Sequence, residues 1–302
     1  MYLVGMSKRP KDRIVRVNGV DLAIETIGDP ADPPLLLIHG ATASMLAWQD
    51  AFVDRLADAG RYVIRYDHRD TGRSTSYPPG APPYRFPDLA SDALRLLDVL
   101  GIDQAHLVGR SMGGGLAMLI ALKHPERVAS LTLMATTSGD PALSPPAPEF
   151  LDYLQQPQPD WSDPEAVLAR YLGLLRIFDA DTGQLDESQL EAGIRRELDR
   201  TNNIASAMIN HFVADPGEPI HHELGRINTP TLVIQGDHDP AFPLDHAQAL
   251  QTAIPGAELL VLEGTGHLIL QPRWDTVIPA IVRHTSPQQA IARQQDSHQR
   301  TE

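Results

Sequence analysis

The segment Gly109-Arg110-Ser111-Met112-Gly113 lies between an apolar run, Ala105 to Val108, and a small-residue stretch that opens a helical pattern, Gly113-Gly114-Gly115-Leu116-Ala117. A serine with glycine two residues away on either side, at a junction of strand and helix, reads as a sharp turn that presents the hydroxyl on its outside. Such a turn forces the serine backbone into a strained conformation. Only neighbours without side chains let the strand and the helix come close enough to make it. The pentapeptide alone is a weak signal, since glycine and serine are common in loops. The elements around it decide its meaning.

Those elements alternate. Strands are predicted at Arg13 to Val17 and Val20 to Ile27, joined by Asn18-Gly19, a two-residue hairpin signal. Leu35 to Ile38 is wholly apolar, as a strand buried on both faces of a parallel sheet should be. Trp48, Phe52 and Leu56 follow at helical spacing ahead of Gly60. Tyr62 to Tyr66 reads as a strand and Leu89 to Leu100 as an amphipathic helix. Ala105 to Val108 is the strand before Ser111, Gly113 to Lys123 its helix, and Val128 to Ala135 a further strand. The order resumes with strand Thr231 to Ile234, helix Leu244 to Ala253, strand Glu258 to Leu262 and helix Pro272 to Arg283. Proline in a helix interior costs roughly 3 kcal/mol, so Pro279 implies that the last helix starts late, near Asp275, or bends. The repeated order predicts an α/β fold: a mostly parallel eight-stranded sheet with helices on both faces.

Residues 137–228 interrupt it. They open on a proline-rich stretch, Pro141 to Pro159, read as a semi-rigid strap. Three helical patterns follow, Asp163 to Phe178, Asp186 to Arg200 and Thr201 to Val213, the first two with aspartate at the N-cap. The expected organisation is a core of residues 1–136 and 229–285, a helical cap of residues 137–228 over the carboxyl ends of the strands, and a polar tail at 286–302.

Composition narrows the function. A net charge of −14 argues against nucleic acid and anionic membrane as partners, because both need a basic face. The absence of cysteine excludes disulfides, thiolate catalysis and cysteine metal sites. The apolar patch Met1 to Gly5 has no positive n-region and no long apolar region, so it is not a signal peptide, and Met6 is an alternative start. The cytoplasm is the expected location. Adjacent His221 and His222 lack a third ligand nearby in sequence and are not read as a metal site.

Serine is a weak nucleophile at neutral pH and needs a base, which in turn needs an orienting acid. His267, in Gly264-Thr265-Gly266-His267, follows the strand Glu258 to Leu262. Asp239, in Gly236-Asp237-His238-Asp239-Pro240, follows the strand Thr231 to Ile234. All three candidates stand at carboxyl ends of predicted parallel strands, where open α/β sheets place their sites. Asp237 competes for the acid role, and His238 and His246 for the base. The oxyanion needs two backbone N–H groups, expected from Met112, after the serine, and from Ala41 in the loop His39-Gly40-Ala41-Thr42. His39 is read as a brace for that loop. Arg110 is a candidate for substrate contact, but the residue before the nucleophile usually faces the interior or neighbouring loops, and it is read as structural. Trp48 belongs either to a core helix or to the pocket mouth, and Leu175, Met208 and Phe212 are candidates for its roof.

On these residues the chain resembles the α/β-hydrolase superfamily, through His39-Gly40, Gly109 to Gly113, the Gly236-x-x-Asp239 turn and Gly266-His267. The loop Asp67-His68-Arg69-Asp70-Thr71-Gly72-Arg73-Ser74 is similar to the superfamily turn after the fourth strand, with Asp70 where glycine is common. That variant and Gly28-Asp29-Pro30-Ala31-Asp32-Pro33 resemble the aclacinomycin methylesterase branch, enzymes that hydrolyse a methyl ester on anthracycline polyketides. The resemblance implies an ester hydrolase with the triad Ser111, Asp239 and His267, acting on apolar or aromatic small molecules without metal, nucleotide or flavin. It leaves open carbon–carbon bond or lactone hydrolysis on the same triad, and a non-catalytic ligand receptor on the same fold.

Overall fold

The computed structural model describes residues 12–180, 182–183 and 185–286. The readings of the N-terminal Met1 to Gly5 patch and of nearly all the polar tail lie outside the described residues. Eight strands, β1 (Arg13–Val17), β2 (Val20–Ile27), β3 (Pro34–Ile38), β4 (Tyr62–Tyr66), β5 (Ala105–Arg110), β6 (Val128–Met134), β7 (Thr231–Gly236) and β8 (Glu258–Leu262), form one sheet in the order β1-β2-β4-β3-β5-β6-β7-β8. Contacts of β2 with β1 and β4 are antiparallel, and the rest of the sheet is parallel. Asn18 and Gly19 both have positive φ, 48° and 78°, which is the twist-matched geometry of a two-residue hairpin.

Side-chain alternation sends the two faces of the sheet into separate cores. Leu36, Ile38, Leu107 and Val233 pack with α2 (Phe86–Val99), α3 (Met112–Lys123) and α8 (Leu244–Ala253). Leu35, Leu37, Val108 and Ile234 pack with α1 (Asp50–Asp58) and α9 (Trp274–His284). Trp48 precedes α1 instead of belonging to it. A short 3-10 turn, Met45–Ala47, carries it, and the buried Arg65 holds its carbonyl while pairing with Glu25 and Asp50. Pro279 stays inside a continuous α9, in its second turn, where it removes the bond to the Asp275 carbonyl. Burial of Val277, Ile278, Ala280 and Ile281 around it offsets that loss.

Among the described residues between β6 and β7 there are four α-helices where three were expected: α4 (Pro148–Gln155), α5 (Pro164–Asp179), α6 (Glu187–Arg200) and α7 (Ile204–Val213). The extra helix lies in the proline-rich stretch. Pro148 occupies its first position, where no N–H is needed and the ring presets φ. Asp163 and Asp186 cap α5 and α6 through their side chains, and α7, expected from Thr201, starts at Ile204 with Asn203 as its cap.

These helices attach to loops at the carboxyl edge of the sheet. The Tyr171 hydroxyl donates to the Thr42 carbonyl at 3.1 Å, Arg200 meets Asp67 at 2.7 Å, and Asn210 donates to Asp70 at 2.9 Å. The His267 amide donates to the Phe178 carbonyl at 2.7 Å. Among the described residues, no helix is long and apolar enough to cross a membrane.

Backbone segments approach closely at the β5–α3 turn. A Cβ on Gly109 would lie 2.3 Å from the Gly113 carbonyl oxygen, and one on Gly113 would lie 2.2 Å from the Ile38 carbonyl oxygen. Gly115, in the same helix, has open space. Gly113→Ala should therefore lower unfolding free energy by more than about 3 kcal/mol, or prevent soluble folding. Gly115→Ala should be neutral or stabilise by up to about 1 kcal/mol. Urea denaturation of the two variants checks both; equal stabilities would contradict the packing argument.

Candidate active site

Ser111 has φ 54° and ψ −124°, outside the regions open to ordinary L-residues, at the junction of β5 and α3. Hydrogen bonds to its backbone hold it there. Its N–H donates to the Met134 carbonyl at 3.0 Å, and its carbonyl accepts from the Gly114 N–H at 2.8 Å and from Thr136 Oγ1 at 2.7 Å. The loop after β3 lies against the serine: a Cβ on Gly40 would sit 3.1 Å from Ser111 Cβ. Met112 is the first residue of α3, where an N–H has no acceptor within the helix. Ala41 follows Gly40 directly.

His39 is fully buried, with Nδ1 2.8 Å from the Gly40 carbonyl and Nε2 3.3 Å from the His68 N–H. A carbonyl only accepts and an amide only donates, so the proton sits on Nδ1. Burial pushes the His39 pKa down to about 3 and that of nearby His211 down to about 4, which keeps both rings neutral. His39 thus ties the Gly40 carbonyl to the β4 loop.

Asp239 and His267 come together at the ends of β7 and β8. Asp239 Oδ2 lies 2.8 Å from His267 Nδ1 and also accepts from Gln235 Nε2 at 2.9 Å. Its Oδ1 accepts the N–H groups of Ala241 at 2.8 Å and Phe242 at 3.0 Å. Four donors replace water around this buried carboxylate, whose geometry they fix. The bond to Asp239 places a proton on His267 Nδ1 and leaves Nε2 as an acceptor. Phe178 and Phe242 cover the ring, with centroids 4.4 and 5.6 Å away. Asp237 bonds His238 at 2.7 Å instead, and His246 bonds Thr137 Oγ1 and the Ser144 carbonyl. Among the described residues no cluster of three His, Asp or Glu side chains is arranged to hold a metal ion.

A cavity of about 650 Å³ opens beside the turn, walled by the 43–52 segment, α5, α6 and the 268–274 loop. Trp48 and Leu175 line it; so do Arg110 and Leu268, the neighbours of Ser111 and His267. Two of the expected roof residues do not. Met208 packs against Leu168, Tyr171 and Ile194 among the inserted helices. Phe212, in the last turn of α7, is 51% exposed. Arg110 was legible as a pocket residue from strand alternation: two residues after Val108, it shares the α1 and α9 face, beside Met134.

Glu197 of α6 also borders the cavity. It accepts from Ser44 Oγ at 2.6 Å and Thr201 Oγ1 at 3.2 Å, and burial raises its pKa to about 7. The unfolded chain releases this proton near the ordinary glutamate value, whereas the folded chain keeps it to about pH 7. The contribution of Glu197 to stability is therefore greatest below the unfolded value and falls as pH rises through about 7. Glu197→Gln should remove that fall, on the order of 3 kcal/mol. Thermal unfolding of both proteins from pH 4.5 to 8 reads it: the variant should gain on the wild type as pH rises, and parallel curves would exclude the effect.

The sequence matches the alpha/beta hydrolase fold family over residues 33–271, and the chain belongs to that family. It is 38% identical over 293 residues to rhodomycin D methylesterase DauP of Streptomyces sp. strain C5, a match spanning 90% of this chain and 97% of that protein. It is 34% identical over 239 residues to a 2-hydroxy-6-oxononadienedioate/2-hydroxy-6-oxononatrienedioate hydrolase of Paraburkholderia phymatum, spanning 77% of this chain and 80% of that one. Among solved structures it is similar to the enol-lactonase from Burkholderia xenovorans LB400, with a TM-score of 0.71 and 25% identity over 90% of this chain and 99% of that one.

Proposed function

We propose that the protein is a serine carboxylesterase that hydrolyses methyl esters of apolar or aromatic small molecules through an acyl-enzyme. The observation that carries this reading is the buried Asp239–His267 pair, on the sheet edge where β5 ends in the strained Ser111. The methylesterase relative supports the choice of ester.

Ser111 Oγ attacks the ester carbonyl carbon while its proton passes to His267 Nε2, and Asp239 stabilises the imidazolium. The amides of Ala41 and Met112 receive the oxyanion. Collapse breaks the bond to the alkoxy oxygen, which leaves as methanol with the proton from His267. Water, deprotonated by His267, then attacks the acyl carbon and releases the acid, and the proton returns to Ser111. Residues 137–228 act as a cap that shields this chemistry from water and sets substrate range. The partner is a small ester met in the cytoplasm, and neither nucleic acid nor membrane is engaged.

Carbon–carbon and lactone hydrolysis compete on the same groups, in keeping with the names of two relatives. Methanol release from a methyl ester distinguishes the reaction proposed here. A pure receptor has no need of both a triad and oxyanion amides.

A fluorophosphonate should add its mass at Ser111, and labelling of another serine would sink the assignment. Ser111→Ala should lower kcat by about 10⁴ to 10⁶ and Asp239→Asn by about 10⁴, whereas Asp237→Asn should be mild. Leu175→Ala, on the cavity wall, should change the relative kcat/KM of short and bulky methyl esters. Met208→Ala should leave that ratio alone and cost about 2–5 kcal/mol in stability.

A further inference from the structure

Arg110 is a cation whose counter-charge is not supplied by the fold. Among the described residues, no hydrogen bond or ion pair ends on its guanidinium. The Trp48 ring lies 5.4 Å from its guanidinium carbon. The group is desolvated enough that burial pulls its pKa below the ordinary arginine value. Arginine nevertheless stays charged in proteins. Arg110 is half-buried; a partly desolvated charge without a partner is costly, and a cation–π contact offsets only part of that cost.

The other charged groups around the cavity are already engaged. Asp50 pairs with Arg65 and Arg196, Glu197 accepts from Ser44 and Thr201, and Asp186 caps α6 while bonding Ser188 and Gln189. The Tyr171 hydroxyl donates to the Thr42 carbonyl. Arg110 therefore faces a space of about 650 Å³ with its donors unspent, in a wall that mixes apolar Leu46, Phe52, Leu175 and Ile269 with polar groups engaged elsewhere. The guanidinium fork matches a carboxylate through two parallel bonds. Arg110 also immediately precedes Ser111, about 3.8 Å away along the backbone. Ser111 and His267 do not themselves line the cavity, so a substrate whose carbonyl lies at Ser111 reaches Arg110 only by extending its acyl arm into this space.

We propose that Arg110 is a substrate-binding residue that receives a carboxylate, making the preferred substrates anionic half-esters: methyl esters of molecules that carry a second, ionised carboxyl group. The proposal rests on the esterase reading for its location in the acyl part, since the alcohol side of a methyl ester has no room for a carboxylate. The geometry of Arg110 stands independently of that reading.

The test compares monomethyl with dimethyl esters of adipic and terephthalic acids. Wild-type kcat/KM should favour the half-ester by at least tenfold in at least one pair. Arg110→Leu should reduce that ratio at least tenfold, mainly through KM for the half-ester, and Arg110→Lys should fall between. A wild-type ratio of one or less in both pairs, or a ratio unchanged in Arg110→Leu, overturns the proposal. If Arg110→Leu does not fold, Arg110→Gln takes its place. Calorimetry on Ser111→Ala with monomethyl and dimethyl adipate and terephthalate separates the two readings. Tighter binding of a half-ester, lost when Arg110→Leu is added, supports the anion site even if the wild type hydrolyses no ester. Equal binding within each pair in that case overturns it.

Discussion

The close approach of β5, α3 and β3 around Gly109 and Gly113 is the constraint on which the rest of the site depends. Two carbonyl oxygens occupy the volumes that side chains would need, so the chain turns within a single residue and Ser111 takes the strain. Backbone bonds then carry the position outward. Ser111 is tied to the end of β6, and Ala135, next in the chain, donates to the Ile234 carbonyl of β7. The strand ends that bear Ser111 and Asp239 are thereby held at a fixed spacing by the ladder itself. A site assembled on sheet edges gains its precision from backbone geometry, before any side chain is placed.

The inserted helices reach the core through an apolar cluster of α4 and α5 with Ala241 and Phe242, and through polar contacts. Tyr171, Glu197, Arg200 and Asn210 each find a partner in a loop after β3 or β4, most of them buried. Buried polar bonds contribute little net stability but penalise misplacement heavily, because a displaced partner leaves a desolvated group behind. Such contacts define a position more than they strengthen it.

Most of the sheet was legible because its signals are local. Asn18-Gly19 demands positive φ, the apolar run at Leu35 demands burial on two faces, and Gly109 and Gly113 demand backbone contact. β1, β2 and β8 match the sequence reading residue for residue. The inserted region was less legible, since there tertiary packing overrides local preference. Pro148 looked like a strap residue and instead starts a helix, and the helical pattern expected from Thr201 begins at Ile204. The pairing of Asp239 with His267 concerns residues 28 apart; the α/β order brought their turns to one sheet edge, and the resemblance through Gly236-x-x-Asp239 favoured Asp239 over Asp237. Which apolar side chains of α7 face inward was not readable. Met208 and Phe212 are four apart, yet the first is covered by α5 and α6 and the second meets solvent.

Phe178 covers the His267 ring and accepts the His267 backbone N–H. One residue at the end of α5 thus shields the imidazole and anchors its main chain. Displacing that end of the helix relative to the core breaks the bond and uncovers the ring in one event. Admission of solvent and loss of registry are mechanically coupled at this point, so a wet His267 is also a loosened one.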